Sequence, residues 1–196
     1  MHIEHKEQLA QLPLCLNTLY AVGLDIEHLP ILPPQLEHLT CRDNKIQMFQ
    51  HSFPKTLQYL DCCLNELETL EFEEDSILIS CFCAFNHLTY IDFLPMTLHI
   101  FFCCKNKIQQ LPLLLPQGLT TLHCSDNELT WMPSLPNSLE YFDCSNNQIV
   151  YIDYLPPTIQ TLNCQNNPFL LHYDFPIVVK NIAQFNERNQ SSIVLK

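Results

Sequence analysis

The sequence predicts a solenoid of about eight stacked coils, each giving one short strand to a parallel sheet and returning along an extended outer side. Three observations predict it. Asn44, Asn65, Asn86, Asn106, Asn127, Asn147 and Asn167 stand 20 or 21 residues apart. Each follows a Cys by three, at Cys41, Cys62, Cys83, Cys103, Cys124, Cys144 and Cys164. A Pro stands three residues before the first Leu or Ile of nearly every unit, at Pro13, Pro33, Pro54, Pro95, Pro116, Pro136 and Pro156; Asp75 takes that place ahead of Leu78. A unit repeated at so short a period cannot bury its apolar face alone and must stack on its neighbours.

The strand follows from alternation. In the best-kept unit the apolar frame is Leu119, Leu122, Cys124, Asn127, Leu129 and Met132, and the next unit gives Leu139, Phe142, Cys144, Asn147, Ile149 and Ile152. Leu122 and Cys124 are two apart and share one face; Thr121 and His123 share the other. The inner face packs on the coil's own return segment, leaving the outer face as an open concave surface. The Asn turns the chain out of the strand. Its amide both donates and accepts, so a buried Asn suits the backbone groups of its own coil and the next. The return segment is too short for a full helix, and a polyproline II path, advancing about 3.1 Å per residue against about 1.5 Å for a helix, closes the coil in few residues.

Terminal coils need covers. Residues 1–11 are expected to form an N-terminal cap, residues 12–174 the repeat domain, and residues 175–196 a C-terminal cap with a short helix and tail. The first coil drifts as an end unit should, with Ala21 in the Cys place and Leu24 in the Asn place. Beyond Asp174, Phe175 and Pro176, Gln184 and Glu187 fall where Cys and Asn belong. Val178, Ile182 and Phe185 instead have helical spacing, with Pro176 in the first turn, as a lid on the last coil.

The pattern L-P-x-x-L-x-x-L-x-C-x-x-N-x-L, over residues 12 to about 174, resembles the leucine-rich repeat. The short Pro-bearing version is similar to the type found in bacterial effector proteins. The resemblance implies an α/β-type leucine-rich repeat solenoid, or horseshoe, that binds proteins. Cys at the sixth place of the repeat and the many Ile, Asn and Lys residues also resemble the leucine-rich repeat proteins of giant DNA viruses, which implies a host protein as partner in the host cytoplasm. Some bacterial effectors with similar repeats carry a separate C-terminal ubiquitin-ligase domain with a catalytic Cys. The residues after the last coil contain no Cys, so that activity is not carried over.

Composition narrows the function. A net charge of −12 argues against a phosphate backbone as partner, so no nucleic acid is expected. No run approaches the roughly 18 apolar residues of a membrane span, and MHIEHKEQLAQ lacks a signal peptide's apolar stretch; a cytoplasmic protein without membrane contact is expected. With only Gly23 and Gly118, the chain has no Gly-rich phosphate loop or nucleophile elbow. His123, Ser125 and Asp126 are close in sequence, but strand alternation gives them no reason to meet as a triad. No enzyme and no cofactor are expected.

Eleven Cys invite a disulfide or metal reading, and their spacing argues against it. Seven occupy the inward sixth place, where a small apolar side chain fits. Cys81, Cys83 and His87 lie within seven residues, but the two Cys point inward and His87 lies past the Asn turn; no metal site is expected. Cys63 and Cys104 stand at the seventh place, either as exposed thiols or packed against aromatic neighbours.

The outward third and fifth places remain as the candidate surface. Tyr59, Ile100 and Tyr141 stand at the third place and Phe82, Phe102 and His123 at the fifth, in the middle coils. Together with Leu64, Phe85, Ala84, Cys63 and Cys104 at the strand ends, Phe82, Ile100 and Phe102 are expected to form one apolar patch. Such patches mark interaction sites, and aromatic residues dominate binding energy. The expected function is a non-enzymatic module that binds an unidentified protein through this face. A homodimer formed by the same patch, or a thiol- or metal-dependent protein, is the alternative. The acidic run Glu66, Glu68, Glu71, Glu73, Glu74 and Asp75, where Pro is lost, reads as a solvated convex bulge, the alternative being a docking site for a basic partner. A glycosylation acceptor at Asn189 and the tripeptide from Asn167 to Phe169, which resembles an endocytic signal, are both discounted, the second because Asn167 should be buried.

Overall fold

The computed structural model describes residues 1–172, 177 and 179–193. Its centre is one parallel sheet of eight three-residue strands in sequence order. They are β1 (Thr18–Tyr20), β2 (His38–Thr40), β3 (Tyr59–Asp61), β4 (Ser80–Phe82), β5 (Ile100–Phe102), β6 (Thr121–His123), β7 (Tyr141–Asp143) and β8 (Thr161–Asn163). Every strand pairs at the same place of its neighbour, so Tyr59 meets Ser80, Ser80 meets Ile100, and Asp61 meets Phe82. The register turns each place of the repeat into a column across the molecule.

The inward columns are sealed. Leu39, Leu60, Cys81, Phe101, Leu122 and Phe142 at the fourth place, and the Cys at the sixth from Cys41 to Cys144, are fully buried; Cys164 is buried as well. The Asn column holds the coils together. Asn86 accepts at Oδ1 from the Leu67 N–H at 3.0 Å, and donates through Nδ2 to the carbonyls of Cys62 at 3.0 Å and Cys83 at 3.1 Å. Asn65, Asn106, Asn127, Asn147 and Asn167 repeat this geometry. At the start of the column, half-buried Asn44 serves Leu24 and Ile26. The amides serve their own coil and the preceding one rather than the next.

The return segments carry no α-helix. Pro opens a turn in which the residue three on donates back to its carbonyl, as Leu57 to Pro54 at 2.9 Å and Leu98 to Pro95 at 3.0 Å. Where Asp75 replaces Pro, the turn moves two residues earlier, to Ser76 donating to Glu73 at 3.0 Å, and the Leu78 N–H turns to Ser76 Oγ at 3.4 Å.

Before the first coil, Ile3 donates to Tyr20 at 2.8 Å, and a 3₁₀ turn over Lys6–Gln11 buries Leu9. Its entry is held by Gln8, whose Oε1 accepts from the Glu4 and His5 N–H groups. At the far end a 3₁₀ turn at Val179–Asn181 leads into α1 (Ile182–Ile193), with Ile182 and Phe185 buried. Asn186 bonds both the N–H and the C=O of Leu155, and Asn189 donates to the Ile152 carbonyl at 2.8 Å. Asn189 is therefore buried and occupied, and so are Asn167 and Phe169 of the discounted tripeptide. Asp174, Phe175, Pro176 and Val178 lie outside the described residues.

Candidate functional site

The concave face is built by the third and fifth columns, and on it aromatic rings form a connected row. His38 meets Tyr59 at 5.9 Å between ring centres, Tyr59 meets Phe82 at 5.4 Å, and Phe82 meets Phe102 at 5.1 Å. Phe102 then meets His123 at 5.2 Å and Tyr141 at 6.5 Å. The row starts in the third column, crosses to the fifth at Phe82 and crosses back at Tyr141. Such contacts between rings in offset or edge geometry are favourable beyond area alone. Tyr59, Phe82, Ile100, Phe102, His123 and Tyr141 are half-buried, each leaving part of its side chain to solvent. Burial first and the Asp61 carboxylate second push the Tyr59 phenol above its ordinary range; burial and Asp143 do the same at Tyr141, so both stay neutral donors.

Two carboxylates of the fifth column, Asp61 and Asp143, are buried and hold the strand ends. Asp61 accepts from the Cys63 N–H at 3.1 Å; Asp143 accepts from the Ser145 N–H at 3.0 Å and its hydroxyl at 2.7 Å. This role was not legible beforehand, since an outward Asp in a strand reads as a solvated group. His123, Ser125 and Asp126, which strand alternation gave no reason to meet as a triad, are linked: His123 Nε2 lies 2.9 Å from Ser125 Oγ, and Ser125 Oγ donates to Asp126 Oδ2 at 3.3 Å. In a Ser–His–Asp relay the serine and the carboxylate occupy opposite ring nitrogens. Here Ser125 Oγ and Asp143 Oδ2, at 3.5 Å, both address Nε2, an arrangement for orienting the ring.

The rim above the row shows a feature the sequence did not disclose. The residue before each ladder Asn is left-handed: Asp43, Leu64, Phe85, Lys105, Asp126, Asn146 and Asn166 all have φ between 53° and 58°. Gly23 takes the place in the first coil at φ 67°. Gly, Asn and Asp accept this conformation, whereas a bulky side chain is strained in it. Leu64 and Phe85 nonetheless occupy it, 39% and 46% exposed, and the Lys105 ammonium sits 5.2 Å from the Phe85 ring centre. Ala84 and Cys104, expected on the patch, are buried at 6% and 7%. The seventh place is not uniform, since Cys63 there is half-buried.

Solved structures share this architecture. YopM, a leucine-rich effector protein from Yersinia pestis, matches at a TM-score of 0.76 and 30% identity over 80% of this chain and 45% of that one. A leucine-rich repeat domain of a Shigella effector matches at a TM-score of 0.69 and 30% identity, over 83% of this chain and 76% of that domain. The chain belongs to the leucine-rich repeat proteins of the effector-like type. It spans less than half of YopM. No protein-family model and no curated protein sequence matches this leucine-rich repeat protein. The functional domain of InlJ from Listeria monocytogenes, which includes a cysteine ladder, matches at a TM-score of 0.69 and 25% identity, over 86% of this chain and 38% of that one.

A Cys column runs through this leucine-rich repeat protein too, and all eleven Cys are free thiols. Burial pushes the thiols of Cys62, Cys103 and Cys144 well above the ordinary range and that of Cys63 up to about 12; at Cys83 the hydrogen bond with Cys81 and then burial do the same. The thiolate is the reactive form, so these sulfurs are inert. Cys15 alone is exposed. Iodoacetamide mass spectrometry of the folded protein at neutral pH is expected to show rapid modification of Cys15, slow modification of half-buried Cys63, and reaction at the rest only in denaturant. Rapid labelling of the column would show that it opens. Among the described residues no three His, Cys, Asp or Glu side chains are grouped to hold a metal ion; Cys81 and Cys83 are buried while His87 is exposed. No helix among them is long and apolar enough to cross a membrane.

Proposed function

We propose that this leucine-rich repeat protein is a non-enzymatic module that binds a protein partner through the concave face of coils 3 to 5. The observation that carries the proposal is the ring row from Tyr59 to Tyr141 beside Leu64 and Phe85, two apolar side chains kept exposed in a strained backbone conformation. Strain of about 1 kcal/mol or more per residue is retained at functional sites, where a more compatible residue would relieve it. Rings preordered by their neighbours lose little side-chain freedom on binding, which favours them as anchors. Eleven free thiols suit a reducing compartment, so the site of action is the cytoplasm, where a host protein is the partner.

Affinity capture from host-cell lysate compares the wild type with a Phe82→Asp, Phe102→Asp variant. The wild type is expected to retain a protein that the variant loses, while both show the same circular dichroism. Equal recovery by both would remove the concave face from consideration. A wild-type dimer in sedimentation, converted to monomer by the same variant, would replace a foreign partner with a second copy.

A further inference from the structure

On the opposite side of the molecule, the return segments of the second and third coils enclose a cleft of about 340 Å³. Three rings line it. Phe49 and Phe53 meet edge to face at 4.8 Å between centres, and Phe53 and Phe72 stack at 6.3 Å. All three are only partly buried. Glu71 and Glu73 also line the cleft, and Ser52 Oγ donates to Glu73 at 2.6 Å, fixing that carboxylate's direction. Where Asp75 takes the Pro place, the turn stands at Glu73, next to Phe72.

We propose that this cleft takes an arginine side chain of an extended basic peptide. Its volume lies at the low end of ligand sites, enough for one side chain and not for a folded element. Charge selects the side chain. Among the described residues no Lys or Arg lies within 4.0 Å of the carboxylates of Glu71, Glu73 or Glu74, and Lys55 is engaged by Asp75. An apolar occupant would strand the carboxylates, and an anion would be repelled. A guanidinium meets both walls, its plane against an aromatic ring and its N–H fork on a carboxylate.

The peptide is extended because the cleft does not end there. Gln50 and His51 also line a wider cleft of about 600 Å³ toward the first coil, whose wall includes Glu7 and Glu27 beside Lys6, with Asp25 paired to Lys45 at 2.9 Å. The two form a trough across successive coils, with further acidic side chains along it. The acidic run on this side, expected as a solvated bulge, is then the wall of a binding groove. The aromatic floor escaped the sequence because Phe49, Phe53 and Phe72 stand at return positions that the repeat does not fix.

Isothermal titration with the blocked peptide acetyl-Gly-Arg-Gly-Arg-Gly-amide, and with its citrulline counterpart of equal shape and no charge, tests the proposal. The 196-residue protein is expected to bind the arginine peptide, more weakly as salt rises, and to ignore the citrulline one. Glu71→Gln with Glu73→Gln, both exposed, is expected to weaken binding roughly tenfold. Glu128→Gln with Glu140→Gln, the same charge change on distant coils, is expected to leave it unchanged. Phe72→Leu keeps apolar bulk but removes the ring, and should weaken arginine more than a lysine peptide. No binding by wild type, equal weakening by both Gln pairs, or citrulline bound as well as arginine would overturn the proposal. The Phe82→Asp, Phe102→Asp variant should bind at wild-type strength; loss there would move the peptide to the concave face.

Discussion

Asn86→Ala is expected to cost about 3 to 5 kcal/mol in urea unfolding, a large part of what a protein of this kind possesses. The side chain accepts from the Leu67 N–H and donates to the carbonyls of Cys62 and Cys83, all away from solvent. Alanine leaves the Leu67 N–H without an acceptor, at roughly 1–3 kcal/mol, and removes two further bonds worth about 1 kcal/mol each. Asn86→Asp should be worse, because it keeps an acceptor but directs a carboxylate at two carbonyl oxygens. Asn44→Ala should cost less, since Asn44 is half-buried. Coils touch only their neighbours, so hydrogen exchange should rise mainly in the third and fourth coils. An Asn86→Ala protein as stable as the wild type would mean that water replaces the amide without loss.

Phe85→Asn is expected to separate stability from binding. Asn relieves a left-handed strain of about 1–2 kcal/mol at φ 58°. Phe85 is 46% exposed, so truncation forfeits only part of its burial, also roughly 1–2 kcal/mol. The two oppose, and the net change in unfolding free energy should stay within about 1 kcal/mol. Binding to the captured partner, by contrast, should fall by about a hundredfold if the ring is an anchor. Leu64→Asn should behave in the same way at φ 56°. Surface plasmon resonance beside urea titration measures both quantities. A partner bound at full strength by both Phe85→Asn and Leu64→Asn would show that the strained rim serves no recognition.

What was legible in the sequence was whatever repeats. A 20- or 21-residue period fixes which places pair, so the buried Cys column, the Asn amides and the outward rings at Tyr59, Phe82, Phe102 and Tyr141 follow from counting. Backbone sign was half legible. Gly23, Asp43, Asp126, Asn146 and Asn166, each just ahead of its Asn or Asn equivalent, are residue types that favour a left-handed turn. Leu64, Phe85 and Lys105 hid the rule because their side chains do not prefer that conformation. The seventh place misled for another reason. Alternation ends with the strand, so Ala84 and Cys104 no longer obey it. Contacts between non-repeating residues, His123 with Ser125 on one face and the three rings of the convex cleft on the other, depend on coil paths that no period encodes.

Because every ladder amide reaches backward, the molecule has an arrow. A newly made coil makes some of its own closing bonds, receives the rest from the one that comes after, and completes the one before. A polypeptide leaving the ribosome from its amino end can therefore zip shut link by link, never waiting for distant segments. The same one-way logic lets a gene gain or lose whole links in its interior, since any link of the right length answers its predecessor's need as well as the one it replaces.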